Sequence, residues 1–145
     1  MREIRYSVEI HTTRENVWAT LWDDKTLREW ASIIDPETYM VGELKEGNEV
    51  QFISAHGGYG VTSLVEAMIV NEFVLLRHQA DTQKNGTVQR EKQWTGGHES
   101  YVLVEKDGIT RLSVTFDMPL ELEETFNETY PKALNRIKEL AEQKH

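Results

Sequence analysis

The chain contains no cysteine. Disulfides, thiol nucleophiles and cysteine-ligated metal sites are therefore excluded, and nothing calls for an oxidising compartment. Proline is scarce: Pro36, Pro119 and Pro131 stand singly, so there is no proline-rich linker. No apolar run approaches the ~20 residues of a membrane-spanning helix. The opening MREIRYSVEI is charged and alternating rather than signal-like, which makes a cytoplasmic location the expectation. Basic residues are outnumbered, 16 Lys and Arg against 25 Asp and Glu, for a net charge of −9. Scattered as they are, they form no patch that would hold phosphates, so neither nucleic acid nor a membrane span is expected.

The motifs of several chemistries are missing too. There is no glycine-rich phosphate loop, no His-Glu-x-x-His and no Gly-x-Ser-x-Gly. HGGYG is followed by no helix that would supply free amides, so it reads as a hairpin turn. No metal is expected, because His56, His78 and Glu99 fall on separate strand segments. No cofactor is expected either.

What is present divides by periodicity, over a length suited to one domain, residues 1–145. IRYSVEI alternates strictly, with Ile4, Tyr6, Val8 and Ile10 on one face, and reads as a half-buried strand. HTTRENVWATLWDD changes to helical spacing, with Thr12 and Glu15 as a capping box. KTLREWASI allows a second short helix carrying Leu27 and Trp30, ended before Asp35-Pro36. Residues 38–117 then alternate Val-, Ile- and Thr-rich runs with turns at KEGN, VNEF, HGGYG, QKNGT, WTGGH and KDGI. After Pro119 one apolar stripe, including Leu122, Phe126, Tyr130, Leu134 and Ile137, predicts a long helix kinked near Asn127 by Pro131. The expected fold is α+β: a curved antiparallel sheet of six or seven strands wrapped around a long C-terminal helix, with two short helices after the first strand.

Turns also set which side chains share a face. A two-residue turn at Asp107-Gly108 pairs Leu103 with Leu112, Tyr101 with Val114 and Glu99 with Phe116. A turn at Gly57-Gly58 would pair His56 with Tyr59, Phe52 with Ser63 and Val50 with Val65. One at Asn71-Glu72 would pair Val65 with His78, Ala67 with Leu76 and Glu66 with Arg77. The resulting inner face is apolar except for Ser54, His56, Tyr59, Ser63, His78, Glu99 and Tyr101. So many polar groups suit a solvated cavity better than a packed core. The expected lining is Phe52, Ser54, Val61, Ser63, His78, Glu99, Tyr101, Val114, Phe126, Tyr130 and Leu134, with Glu99 and Tyr101 fixing a ligand's polar group. The four tryptophans, Trp94 among them, read as core and rim packing.

The segments VEIHTTRENVWATLWDDKTLREW, EGNEVQF, WTGGHESYVLVEKDGITRLSVTFDMP and FNETYPKALNRIKELAE carry a resemblance. They are similar to the bacterial relatives of the C-terminal domain of the heat-shock protein 90 ATPase activator. That family belongs to the START-like, or SRPBCC, superfamily, which includes the birch pollen allergen. The resemblance implies the helix-grip fold, with a hydrophobic cavity closed by the long helix. Its superfamily spans lipid carriers, aromatic polyketide cyclases, hydrolases and co-chaperones, so it implies no catalytic residues. Three functions are in view. The leading one is non-enzymatic binding of a small hydrophobic ligand, a lipid or aromatic metabolite. The others are a co-chaperone-like module with a chaperone partner, and a cyclase- or hydrolase-like enzyme using Glu99 and His78 as acid and base.

Overall fold

The computed structural model describes residues 2–55, 59–82, 89–90 and 96–143. In chain order the elements are β1 (Arg2–Ile10), α1 (Arg14–Trp22), α2 (Asp24–Ala31), β2 (Thr38–Val41), β3 (Glu49–Ser54), β4 (Tyr59–Ile69), β5 (Phe73–Thr82), β6 (Gln89–Arg90), β7 (His98–Lys106), β8 (Ile109–Met118) and α3 (Leu120–Glu142). Seven strands form one curled antiparallel sheet in the order β1-β8-β7-β5-β4-β3-β2, and the short β6 pairs with β5. The alternation of IRYSVEI has its expected consequence, since Ile4, Tyr6 and Val8 pack on the core and Ile10 is fully buried.

Helix α1 begins one residue later than the Thr12–Glu15 capping box predicts. Thr13 is the cap, its Oγ1 accepting from the Asn16 amide at 3.3 Å, while Thr12 Oγ1 accepts from Asn16 Nδ2 at 3.1 Å. The physical reason is tertiary: Asn16 Nδ2 also donates to the Ala141 carbonyl at 2.6 Å, tying the start of α1 to the end of α3. Leu27 and Trp30 are buried on α2 as expected, and Trp30 Nε1 donates to the Leu21 carbonyl.

Of the three expected registers, one holds throughout. Asp107 and Gly108 both take positive φ, 54° and 78°, and pair Lys106 with Ile109, Tyr101 with Val114 and Glu99 with Phe116. The second slips by two residues: Phe52 lies opposite Val61 and Val50 opposite Ser63. Tyr59 lies opposite Ser54 rather than the expected His56, while His56 itself and the Gly57-Gly58 turn lie outside the described residues, as do QKNGT and Trp94. Gly60 makes this register possible. A Cβ there would sit 1.9 Å from the Phe52 carbonyl oxygen, so only glycine lets β3 and β4 approach this closely. A two-residue slip leaves every side chain on its expected face.

The third register departs through a bulge. Ile69 pairs with Phe73 across residues 70–72, the ladder shifts between Val65 and Ala67, and Val65 then faces Leu76 while Ser63 faces His78. Arg77 lies opposite Leu64 rather than Glu66, yet Glu66 reaches it across the bulge at 3.1 Å.

Helix α3 runs through Pro131 without a break and fills the hollow of the sheet. Its buried residues Tyr130, Ala133, Leu134, Ile137 and Ala141 share one core with Val17, Leu21, Leu112 and Val114. Among the described residues no helix is long and apolar enough to cross a membrane.

Candidate functional site

At one end of this core the packing stops short and leaves a cavity of about 270 Å³. Four elements of the sheet supply its floor: Phe52 and Ser54 from β3, Gly60 and Val61 from β4, His78 from β5, and Glu99 and Tyr101 from β7, with Phe116 of β8 beside them. Phe126 and Tyr130 of α3 form one wall, and Trp30, Ala31, Ile34, Asp35 and Thr38 form the other.

Eight of the eleven residues read from the sequence therefore meet at this cavity: Phe52, Ser54, Val61, His78, Glu99, Tyr101, Phe126 and Tyr130. The other three lie elsewhere. Ser63 is fully buried behind His78, Val114 is enclosed in the core opposite Tyr101, and Leu134 borders a smaller pocket with Tyr6, Val8 and Pro131. Sequence reasoning missed Phe116, although its pairing with Glu99 was the available signal. It also missed the wall from Trp30 to Thr38, because helical spacing says that a face is buried without saying against what.

The polar groups are joined to one another. Ser63 Oγ lies 2.7 Å from His78 Nδ1, and His78 Nε2 lies 3.1 Å from Glu99 Oε1. The Tyr101 hydroxyl donates to Glu99 Oε2 and sits 2.8 Å from the Tyr130 hydroxyl. The side chains of His78 and Glu99 are 2% and 14% exposed, so the carboxylate is the member of the pair that meets the cavity. Burial, reinforced by the neighbouring Glu99 charge, pushes both the Tyr101 and Tyr130 phenols well above their ordinary range. They stay protonated and serve as hydrogen-bond groups. Around them the rings interlock: Phe116 meets Tyr130 edge-on at 4.9 Å and Phe126 at 5.7 Å, and Tyr6 stacks on Tyr130 from behind at 5.2 Å.

The remaining side-chain donors of the lining are turned back into the protein. Trp30 Nε1 donates to the Leu21 carbonyl at 3.1 Å, Ser54 Oγ to the Pro36 carbonyl at 2.7 Å, and Thr38 Oγ1 to the Asp35 carbonyl at 2.5 Å. Such an arrangement can hold a compact apolar body and anchor one polar group on Glu99. Its His78–Glu99 pair could also exchange a proton with a bound molecule. Among the described residues no three His, Asp or Glu side chains are grouped to hold a metal ion.

No protein-family model and no curated protein matches this chain. Solved structures do. The solution structure of the Aha1 dimer from Colwellia psychrerythraea matches with a TM-score of 0.75 at 19% identity, over 98% of this chain and 97% of that one. The fold is the helix-grip fold. Protein MLL2253 from Mesorhizobium loti has the same arrangement, with a TM-score of 0.77 at 12% identity over 99% of each chain. DynU16, from the dynemicin biosynthetic locus, matches with a TM-score of 0.70 at 13% identity, over 96% of this chain and 46% of that one. At these identities the likeness is one of fold, and the helix-grip frame accounts for a cavity beneath the long helix without saying what enters it.

Proposed function

We propose that residues 1–145 form one domain of the START-like superfamily, related to the activators of heat-shock protein ATPases, and that it binds a small hydrophobic ligand between sheet and C-terminal helix. The observation that carries this reading is the convergence of His78, Glu99, Tyr101 and Tyr130 on a cavity whose other lining residues are mostly aromatic and aliphatic. Small-molecule sites combine apolar walls with a few converging polar groups, usually in ~300–1,000 Å³. The cavity's roughly 270 Å³ is at the foot of that range, which favours a compact aromatic metabolite over a long lipid. The test is an amide NMR titration of the labelled protein against compact aromatics, sterols and lipids. Saturable shifts at Val61, Glu99, Tyr101 and Tyr130, weakened in Glu99→Gln and Tyr101→Phe, are expected. Equal affinity in both variants would remove the roles given to those two residues.

A second reading is a protein-interaction module of co-chaperone type. It is favoured by exposed apolar residues on the convex face: Val102 and Ile69 flank Phe73 in the ladder, with Val70 and Val104 nearby. It predicts that the protein stimulates ATP hydrolysis by a heat-shock protein 90-type chaperone, and an unchanged rate would remove it.

A further inference from the structure

We infer that the ligand of this cavity is a compact organic cation, an ammonium group carried on a small apolar or aromatic body. This inference rests on reading the cavity as a small-molecule site.

Its basis is a count of protons. Tyr101 has one hydroxyl proton and gives it to Glu99, so the proton between the two phenols is the one Tyr130 gives to Tyr101. From the other side, His78 Nε2 faces Glu99 Oε1, with Ser63 behind at Nδ1. A neutral ring with its proton on Nε2 accepts the Ser63 hydroxyl proton at Nδ1. Both chains therefore end on Glu99. Trp30, Thr38 and Ser54 send their protons to backbone carbonyls. Among the described lining residues, every side-chain hydroxyl and the Trp30 N–H are thus committed to protein acceptors.

A bound molecule must bring the donors itself. A carboxylate has about four acceptor positions; on Glu99 the Tyr101 hydroxyl takes one, and His78 Nε2 lies 3.1 Å from the other oxygen. Among the described residues no lysine or arginine lines the cavity, so a cationic donor meets no like charge there. An alcohol and an ammonium would both make a charge-assisted hydrogen bond to the carboxylate, and the ammonium adds the attraction of its own charge in a space less screened than water. Trp30, Phe116, Phe126 and Tyr130 line the same space, and the face of an aromatic ring attracts a cation. An anionic ligand would instead meet Glu99 across a low-dielectric space.

The test uses three probes that share a ring and differ in the head group: 2-phenylethylamine, 2-phenylethanol and phenylacetate, with the same three heads on a naphthyl body. Affinities come from amide NMR titrations at pH 7. The amine is expected to bind at least about tenfold more tightly than the alcohol, a difference of roughly 1.4 kcal/mol, with shifts centred on Glu99 and Tyr101. In Glu99→Gln that preference should shrink to about threefold or less. The comparison within the unaltered protein decides the matter even if the variant fails to fold. An alcohol or carboxylate that binds as tightly as the amine overturns the cation while leaving the cavity reading intact. Silence from all six probes overturns both.

Discussion

Between Tyr130 and Ala141, six side chains of α3 are buried, whereas between Leu120 and Thr129 none is. Pro131 stands close to the boundary. The C-terminal half packs on the core, and the N-terminal half offers Phe126 to the cavity and Glu121, Glu124 and Glu128, among others, to solvent. One helix thus does two jobs: its far half holds the molecule together, and its near half bounds a space that the core does not fill. Proline fits that division, since it removes the hydrogen bond to the Asn127 carbonyl and loosens the half that contributes least to packing.

Four tests would break or sharpen the contrast, the first of them a pair of variants. The largest effect should come from Ile137→Ala, which empties a fully buried site in the packed half and should cost about 2–5 kcal/mol in urea unfolding. Leu122→Ala, in the half-buried near half, should cost clearly less. Pro131→Ala restores a donor at an exposed position and should stabilise by up to about 3 kcal/mol, with slower amide exchange over residues 120–128. Equal exchange rates in both halves of the helix before and after that change would dissolve the distinction.

A third effect depends on pH. The phenols of Tyr101 and Tyr130 are raised when folded, so between the unfolded value near 10 and their folded values the native state holds protons that the unfolded state has lost. Their contribution is complete below pH ~10 and disappears as pH rises beyond it. Absorbance at 295 nm should show these two tyrosines ionising only together with unfolding. Smallest of the four is Tyr130→Phe, which removes one donor at the junction and should cost about 1 kcal/mol.

Legibility in the sequence followed the range over which each signal acts. The β7–β8 register could be read because Asp107-Gly108 fixes it locally, and this placed Glu99 and Tyr101 inward beside Phe116. The β3–β4 register could not, because a glycine inside a strand does not announce how closely its neighbour will approach. The bulge at Glu66 was equally hidden, yet the Glu66–Arg77 ion pair survived it, since charge complementarity between long side chains tolerates a shift of two residues. For the cavity, the sheet side and Tyr130 were legible from alternation and the helical stripe. The α2 wall was not, because docking of a helix is decided by tertiary packing and leaves no mark on its spacing.

The pairing of β1 with β8 also bears on how the chain acquires its shape. Arg2 is matched to Met118 and Ile10 to Thr110, so β1 has no ladder partner until β8, about a hundred residues further along, has been made. β1 is also an edge of the sheet, with α3 resting beside it. Loop-closure entropy makes such distant pairings slow. The β3–β4–β5 meander can zip first from its turns, and β7 and β8 from theirs. The N-terminal strand then enters late, carrying charges at Arg5 and Glu9 that discourage premature pairing with a neighbouring nascent chain.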